Sequence, residues 1–402
     1  MMSTEKPKAA QSAKELMEEA NREVAHLNIW LRNQANSPAQ KPWFSGSMDA
    51  GAGSLAQGRV GLGQIKARPH RWRWREIEPC LHRIANIAKI SGQSPIEFAD
   101  RQQFLLLNPG MQQRLQVAST IRCAVSIYNP GDVAPVHVHS PNASRTIFSE
   151  RGGYTIVDGE KCVAERGDII LTPNGTWHDH GNDGDTPVMW ADVLDWPMLE
   201  YLDCIWLDDK PPAGVTEGNG RAQRVTRSAG YSQKMYGQGG LVPSYLKNTR
   251  GIGISTSPMV QYRGAVVRET LDNLKSEEGD PYEGISLRFV NPITGASVFP
   301  TLDYSAQLLR PGEETWLKRE TANTLYFVME GSGTTEIGGE SYDWERNDIF
   351  VVPNFSWRRH LANSKTGALL YAISDKALLE KVGQYRAQGR NQSGSVTELV
   401  NG

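Results

Sequence analysis

GDVAPVHVH at Gly131–His139 and GDIILTPNGTWHDHGN at Gly167–Asn182 bound the stretch on which this 402-residue chain turns. His137, His139, His178 and His180 fall inside it, four of the eight histidines in the sequence. Residues two apart on a strand leave the same face, so His137 and His139 can converge on one ion. His178, beside the Pro173-Asn174-Gly175 turn, is expected to supply a third ligand from an adjacent strand. Three neutral imidazoles suit Fe(II), Zn, Ni or Cu, and ligand type alone does not choose among them.

The stretch has a second, altered copy. The sequence from Asn129 to Asn182 aligns with RPGEETWLKRETANTLYFVMEGSGTTEIGGESYDWERNDIFVVPNFSWRRHLAN, which begins at Arg310. The offset is 181 residues at first and 180 after one gap. Turn and core positions persist: Pro130 and Pro311, Asp168 and Asp348, Pro173 and Pro353, Trp177 and Trp357. His137 becomes Lys318, His139 becomes Glu320 and His178 becomes Arg358, while His180 keeps a counterpart in His360. Histidines that only packed a core would have little reason to vanish together, whereas loss of one metal ligand makes the other two dispensable.

Around the first copy, short strands are expected at 121–128, 144–149, 153–158, 160–164, 168–172 and 188–194, separated by turn signals such as NPGD, DGE and RGD. That spacing predicts an all-β chain with helical additions. Upstream, Leu16, Ala20, Val24, Leu27 and Leu31 give residues 12–34 a helical period, and 35–63 is rich in Gly, Ala, Ser and Pro. RWRWREIEPCLHRIANIAKI from Arg71 reads as a short strand or turn running into a helix, with Pro79 in its first turn. Residues 101–108 read as a strand and 263–275 as a helix. The resulting division is an N-terminal helix and arm (1–70), a first β-domain (71–207), a linker with helices (208–280), a second β-domain without the metal site (281–380) and a flexible tail (381–402).

Composition narrows the partners. Charged residues make up 22%, with a formal net charge of −2, so no basic field points to nucleic acid and no polybasic run to a membrane surface. The N-terminus lacks the apolar core of a signal peptide, and no run of 18 apolar residues occurs; a cytoplasmic protein is expected. The four cysteines show no CxxC spacing, against a zinc ribbon or a disulfide framework. Most of the eleven tryptophans sit in or beside expected strands, where they are expected to fill a sheet sandwich.

The two quoted motifs resemble the signature motifs of the cupin superfamily, the second at Gly167, Pro173, Gly175, His178 and Asn182. Many cupins carry an acidic fourth ligand a few residues after HxH; here Ala143, Ser144 and Arg145 stand instead. With two domains and TWHDHGN, the chain is similar to the bicupin gentisate 1,2-dioxygenases and the related salicylate and 1-hydroxy-2-naphthoate dioxygenases. RPHRWRWREIEP, ADRQQFLLLNPG, WADVLDWP and LRFVNPITGASVFPTLD extend the resemblance over most of the chain. It implies two cupin (jelly-roll) barrels, Fe(II), a homotetramer, and cleavage of a 2-hydroxybenzoate between its carboxyl- and hydroxyl-bearing carbons with O₂. It also implies that Arg145 clamps the substrate carboxylate and that Arg101 and Asp192 face the substrate. His180, expected on the same face as His178, is a candidate proton carrier or supporting donor.

Ser126, Thr146 and Trp196 depart from the residues common in that group, which suggests a shifted ring-substituent preference: a 5-substituted salicylate, nitro-, halo- or hydroxy-substituted. Gentisate itself and 1-hydroxy-2-naphthoate stand as alternatives. A metal-dependent isomerase or decarboxylase and a non-enzymatic ligand-binding bicupin are the alternatives of other classes, since a fold alone does not fix chemistry.

Overall fold

The computed structural model describes residues 66–91, 103–111, 114–218, 222–239, 241–245 and 255–400. The expected helix at 12–34, the arm after it and Arg101 lie outside the described residues.

Strand β1 (His70–Trp72) leads into helix α1 (Trp74–Ser91). The first barrel follows as β2 (Gln103–Leu105), β3 (Arg122–Tyr128), β4 (Val133–His139), β5 (Ala143–Ile147), β6 (Arg151–Val157), β7 (Glu160–Glu165), β8 (Ile169–Thr172), β9 (His178–Asn182) and β10 (Val188–Leu194). Next come α2 (Trp196–Tyr201), β11 (Leu207–Asp208), α3 (Tyr231–Tyr236), β12 (Gln261–Tyr262) and α4 (Gly264–Leu274). The second barrel contains β13 (Ile285–Phe289), β14 (Asp303–Leu309), β15 (Leu317–Glu320), β16 (Thr324–Ile337), β17 (Glu340–Glu345), β18 (Ile349–Val352), β19 (Arg358–Ala362) and β20 (Ala368–Ser374). Helix α5 (Lys376–Lys381), β21 (Ala387–Arg390) and β22 (Val396–Val400) close the chain.

In the first barrel, a six-stranded sheet ordered β12-β8-β5-β10-β3-β2 faces a five-stranded sheet ordered β11-β4-β9-β6-β7. In the second, β16 runs unbroken where the first barrel has β5 and β6, and so joins both faces into one eleven-stranded sheet. Alternation along the strands sorts residues between two interiors. On β3, Val125 and Ile127 point into a core shared with Phe299, Leu325 and Phe327 of the second barrel, while Ser126 and Tyr128 point into the first barrel. The shared core is where the two halves meet.

The halves also exchange elements reciprocally. β1 pairs with β18 of the second barrel, with Trp72 opposite Ile349, and β12 pairs with β8 of the first, with Tyr262 opposite Ile169. The helix after each strand is capped across the repeat: Gly264 N donates to Asp168 Oδ1 (2.8 Å) and Trp74 N to Asp348 Oδ1 (2.7 Å). A carboxylate at a helix N-terminus satisfies a free amide and complements the helix dipole. A second exchanged pair behaves alike, as Thr301 Oγ1 donates to Asp195 and Thr120 Oγ1 to Asp375.

Several expectations need correction. Pro79 lies inside α1 rather than in its first turn, because Asp348 starts the helix at Trp74. The segment from 208, expected as a linker, supplies β11 and β12 to the two sheets of the first barrel. The expected flexible tail forms the β21–β22 hairpin, whose β21 pairs with β15. Trp206, expected in the core, is 45% exposed. Turn geometry, by contrast, outlives the glycines: Gly167 and Gly175 have positive φ, and so do their counterparts Asn347 and Phe355. The tight turns are imposed by the ladders on either side, on Asn347, which tolerates that conformation, and even on Phe355, which disfavours it.

Candidate active site

β4 and β9 are neighbours, with His137 directly opposite His178 in the register. A bulge between Ala134 and His137 shifts β4 so that His137 and His139 both reach the cavity between the two sheets. One ligand atom from each of His137, His139 and His178 lies within 4.8 Å of the others, a group able to hold a metal ion.

Each ring is oriented from behind. Nδ1 of His137 is 2.9 Å from Pro135 O, Nδ1 of His139 is 2.9 Å from Pro141 O, and Nδ1 of His178 is 2.8 Å from Thr176 O. A carbonyl accepts only, so Nδ1 carries the proton in all three rings and Nε2 is left as the ligating nitrogen. His178 Nε2 is fully buried and has no hydrogen-bond partner. An orphaned ring nitrogen beside two further imidazoles fits a metal ion and little else. Burial, reinforced by neighbouring His137, holds His139 down at about 4 and His178 well below the ordinary histidine range. These two rings are therefore neutral and ready to ligate at physiological pH.

The opposite wall comes from the six-stranded sheet. Arg145 on β5 and Asp192 on β10 are cross-strand partners. Arg145 Nη2 lies 2.7 Å from His180 Nε2, and Nη1 donates to Thr172 Oγ1 at 3.4 Å. Nε stands 3.2 Å from Asp192 Oδ1, close enough for an ion pair but too bent for a hydrogen bond. Asp192 Oδ2 accepts from Ser126 Oγ (2.7 Å) and Trp190 Nε1 (3.2 Å). Because arginine only donates, His180 Nε2 accepts and Nδ1 carries the proton, facing Thr155 Oγ1 at 3.3 Å. Burial lowers Arg145 and raises Asp192, and the attraction of each for the other opposes both shifts. Burial and then the Arg145 charge keep His180 neutral.

The cavity measures about 410 Å³ and is lined by His137, His139, Arg145, His180, Asp192 and Ser126, with Tyr128, Pro135 and Trp190 among its apolar walls. Tyr128 and Trp190 stack at 4.6 Å between ring centroids. Of the residues expected from the sequence, His137, His139, Arg145, His180, Asp192 and Ser126 thus come together around one space, with His178 grouped beside His137 and His139.

Thr146 and Trp196, expected at the pocket with Ser126, are not among its walls. Thr146 leaves the opposite face of β5 from Arg145, and Trp196 begins α2 with the Arg122 guanidinium 4.5 Å above its ring. Sequence reasoning missed Thr155, although the repeat held the signal: His360 Nδ1 contacts Thr335 Oγ1 at 2.7 Å, the same pairing 180 residues on. It also missed Leu207, at the end of the expected first β-domain, and Asp209, in the segment taken for a linker, both of which line the cavity.

In the second barrel, Lys318 and Arg358 occupy the paired register of His137 and His178. Lys318 Nζ lies 2.6 Å from both Glu283 and Glu320, and Arg358 Nη2 is 2.6 Å from Glu283. Two cations and two anions, Arg358 buried and the other three half-buried, fill that space with no net charge. Burial alone would raise Glu283, but Arg358 and Lys318 hold it down at about 2.

Comparisons with known proteins agree with this geometry. Residues 124–194 match the cupin domain family. The chain is 33% identical over 333 residues to a 5-aminosalicylate 1,2-dioxygenase from a Comamonas species, covering 81% of this chain and 82% of that one. It is 33% identical over 325 residues to gentisate 1,2-dioxygenase 1 of Aquipseudomonas alcaligenes, covering 80% and 87%. The solved structure of the salicylate 1,2-dioxygenase of Pseudoaminobacter salicylatoxidans with gentisate matches at a TM-score of 0.73 and 27% identity, over 98% of each chain.

Proposed function

Since the chain belongs to the cupin family of gentisate- and salicylate-type ring-cleaving 1,2-dioxygenases, we propose that its first barrel binds Fe(II) through His137, His139 and His178 and cleaves a 5-substituted salicylate between the carboxyl- and hydroxyl-bearing carbons. The observation that carries this is the orphaned His178 Nε2 in a three-histidine set, with a buried arginine on the opposite wall of the adjoining cavity.

A ferrous ion held there supplies dioxygen chemistry and a positive centre for an anionic chelate. The chain's own groups do the rest. Arg145 gives two of its five N–H groups to Thr172 and His180 and turns Nε to Asp192; the others are left for the substrate carboxylate. Asp192, tied by Ser126 and Trp190, and His180 hold the guanidinium in one orientation, a service to binding through positioning. This gives His180 a supporting role and moves proton transfer away from its Nε2. Tyr128, Trp190 and Pro135 offer flat apolar walls to an aromatic ring and limit water around it.

Anaerobic Fe(II) loading followed by oxygen uptake over salicylate, gentisate, 5-amino-, 5-halo- and 5-nitrosalicylate and 1-hydroxy-2-naphthoate tests the reading. Oxygen consumption with formation of a ring-opened diacid supports it. Turnover without oxygen consumption would instead assign an isomerase or decarboxylase. Among the described residues no helix is long and apolar enough to cross a membrane. A cytoplasmic location, expected from the sequence, and a homotetramer, which the family resemblance implies, are part of the proposal, and a monomer by solution mass measurement would remove the tetramer.

A further inference from the structure

β11 pairs antiparallel with the metal strand β4, Leu207 opposite His139 and Asp208 opposite Val138. Continued by one residue, the register sets Asp209 opposite His137, on the face from which His137 and His139 enter the cavity. The cavity walls agree: Leu207 and Asp209 line it, and Asp208 between them does not. Leu207 and Asp209 are exposed whereas His139 and His178 are buried. Asp209 therefore stands at the mouth, on the metal-bearing sheet, opposite the Arg145 wall.

The pocket's other carboxylate is already engaged. Asp192 Oδ2 accepts from two donors and Oδ1 faces Arg145. Among the described residues, no hydrogen bond or ion pair engages Asp209. A carboxylate accepts hydrogen bonds and offers none, so it favours a ring substituent that donates and disfavours one that only accepts.

Resting on the ring-cleavage reading above, we propose that Asp209 is a specificity-determining residue of this pocket, selecting 2-hydroxybenzoates that carry a donor, amino or hydroxyl, para to the 2-hydroxyl, over 5-halo and 5-nitro analogues. It does so by accepting the substituent's hydrogen while Arg145 holds the carboxylate at the other end.

The test compares iron-loaded wild type with Asp209→Ala, Asp209→Leu and Asp209→Asn on gentisate, 5-aminosalicylate, 5-chlorosalicylate and 5-nitrosalicylate. It reads kcat/KM by oxygen uptake and anaerobic ligand binding by tryptophan fluorescence. Wild type is expected to prefer the donor-bearing pair. The preference should fall about tenfold in the Ala and Leu variants, the scale of one hydrogen bond to a charged group, with Asn intermediate because its amide oxygen still accepts. Equal selectivity in wild type and the Ala and Leu variants overturns the proposal, as does a wild type that prefers the chloro or nitro compound. Absence of turnover on all four compounds would instead overturn the reading it rests on.

Discussion

Arg145 and Asp192 face each other across the β5–β10 ladder, with Nε 3.2 Å from Oδ1 and both side chains largely buried. Removing one member of such a pair strands the other's charge, whereas removing both leaves an apolar gap. Asp192→Asn is expected to lose about 3 kcal/mol of stability and to raise KM, because the guanidinium loses its counterion. The double variant Arg145→Met/Asp192→Asn should be less destabilised than the sum of its single changes. Urea unfolding of all four proteins measures the coupling; strict additivity would show that the pair does not act as a unit.

The histidine set predicts a specific response to metal. Fe(II) at a hundredfold excess over its dissociation constant should raise the stability of the metal-stripped wild type by about 2.7 kcal/mol. His178→Ala, which removes the orphaned Nε2, should show no such rise. Thermal melts with and without Fe(II) under anaerobic conditions decide this without recourse to turnover.

The ligand strand is held from outside by the segment after β11. Gln223 N donates to Asp179 Oδ2 (2.7 Å), its Nε2 donates to Trp177 O (2.8 Å), and its Oε1 accepts from Gly159 N (3.2 Å). Those contacts bracket His178 on both sides. Gln223→Ala deletes the two side-chain bonds and is expected to cost about 2 kcal/mol and to weaken metal affinity about tenfold, with the fold retained. Competition titration against a metal-binding dye gives the affinity; unchanged affinity in a destabilised variant would confine Gln223 to a structural role.

How much of this was legible in the sequence follows from the range of the interactions. His137, His139 and His178 could be read because strand alternation and a turn fix their faces locally, and the degenerate copy supplied a contrast. Arg145 and Asp192 were reachable only through family resemblance, since nothing local tells that residues 47 apart are cross-strand partners. Gln223 and Asp209 were hidden because a polar, turn-rich segment reads as a linker when its partners lie on distant strands. The exchange of β1 and β12 between barrels was equally hidden, although Asp168 and Asp348 had been noted as persistent positions. Their purpose, capping helices that belong to the opposite half, exists only in three dimensions.

His360 offers a pH test away from the metal. It is fully buried, its Nε2 has no hydrogen-bond partner, and burial followed by the Arg358 charge places it well below the ordinary 6.5. Well above pH 6.5 the ring is neutral in both folded and unfolded chains and contributes no pH dependence. Below it, the unfolded chain takes up a proton that the folded chain refuses, so folding stability falls as pH drops. His360→Asn preserves a partner for Thr335 and removes the titration. Between pH 6 and 5 the wild type should lose more stability than this variant. Parallel stability curves for the two proteins would show that His360 titrates normally.

The reciprocal exchange of strand and helix makes each barrel incomplete without the other half of the chain. β8 is covered by β12 from the second repeat, β18 by β1 from the first, and Phe148 meets Phe327 at 6.0 Å in the core they share. Independent domains would unfold in two steps, whereas elements shared in both directions couple them. Residues 66–400 are therefore expected to unfold in one calorimetric transition whose van't Hoff and calorimetric enthalpies agree. Phe327→Ala, which opens the shared core at a cost of about 3–5 kcal/mol, should lower the midpoint of the whole transition, including loss of the first barrel's metal site. Two resolved transitions, with metal binding lost in only one of them, would show that the barrels are separable in spite of the exchange.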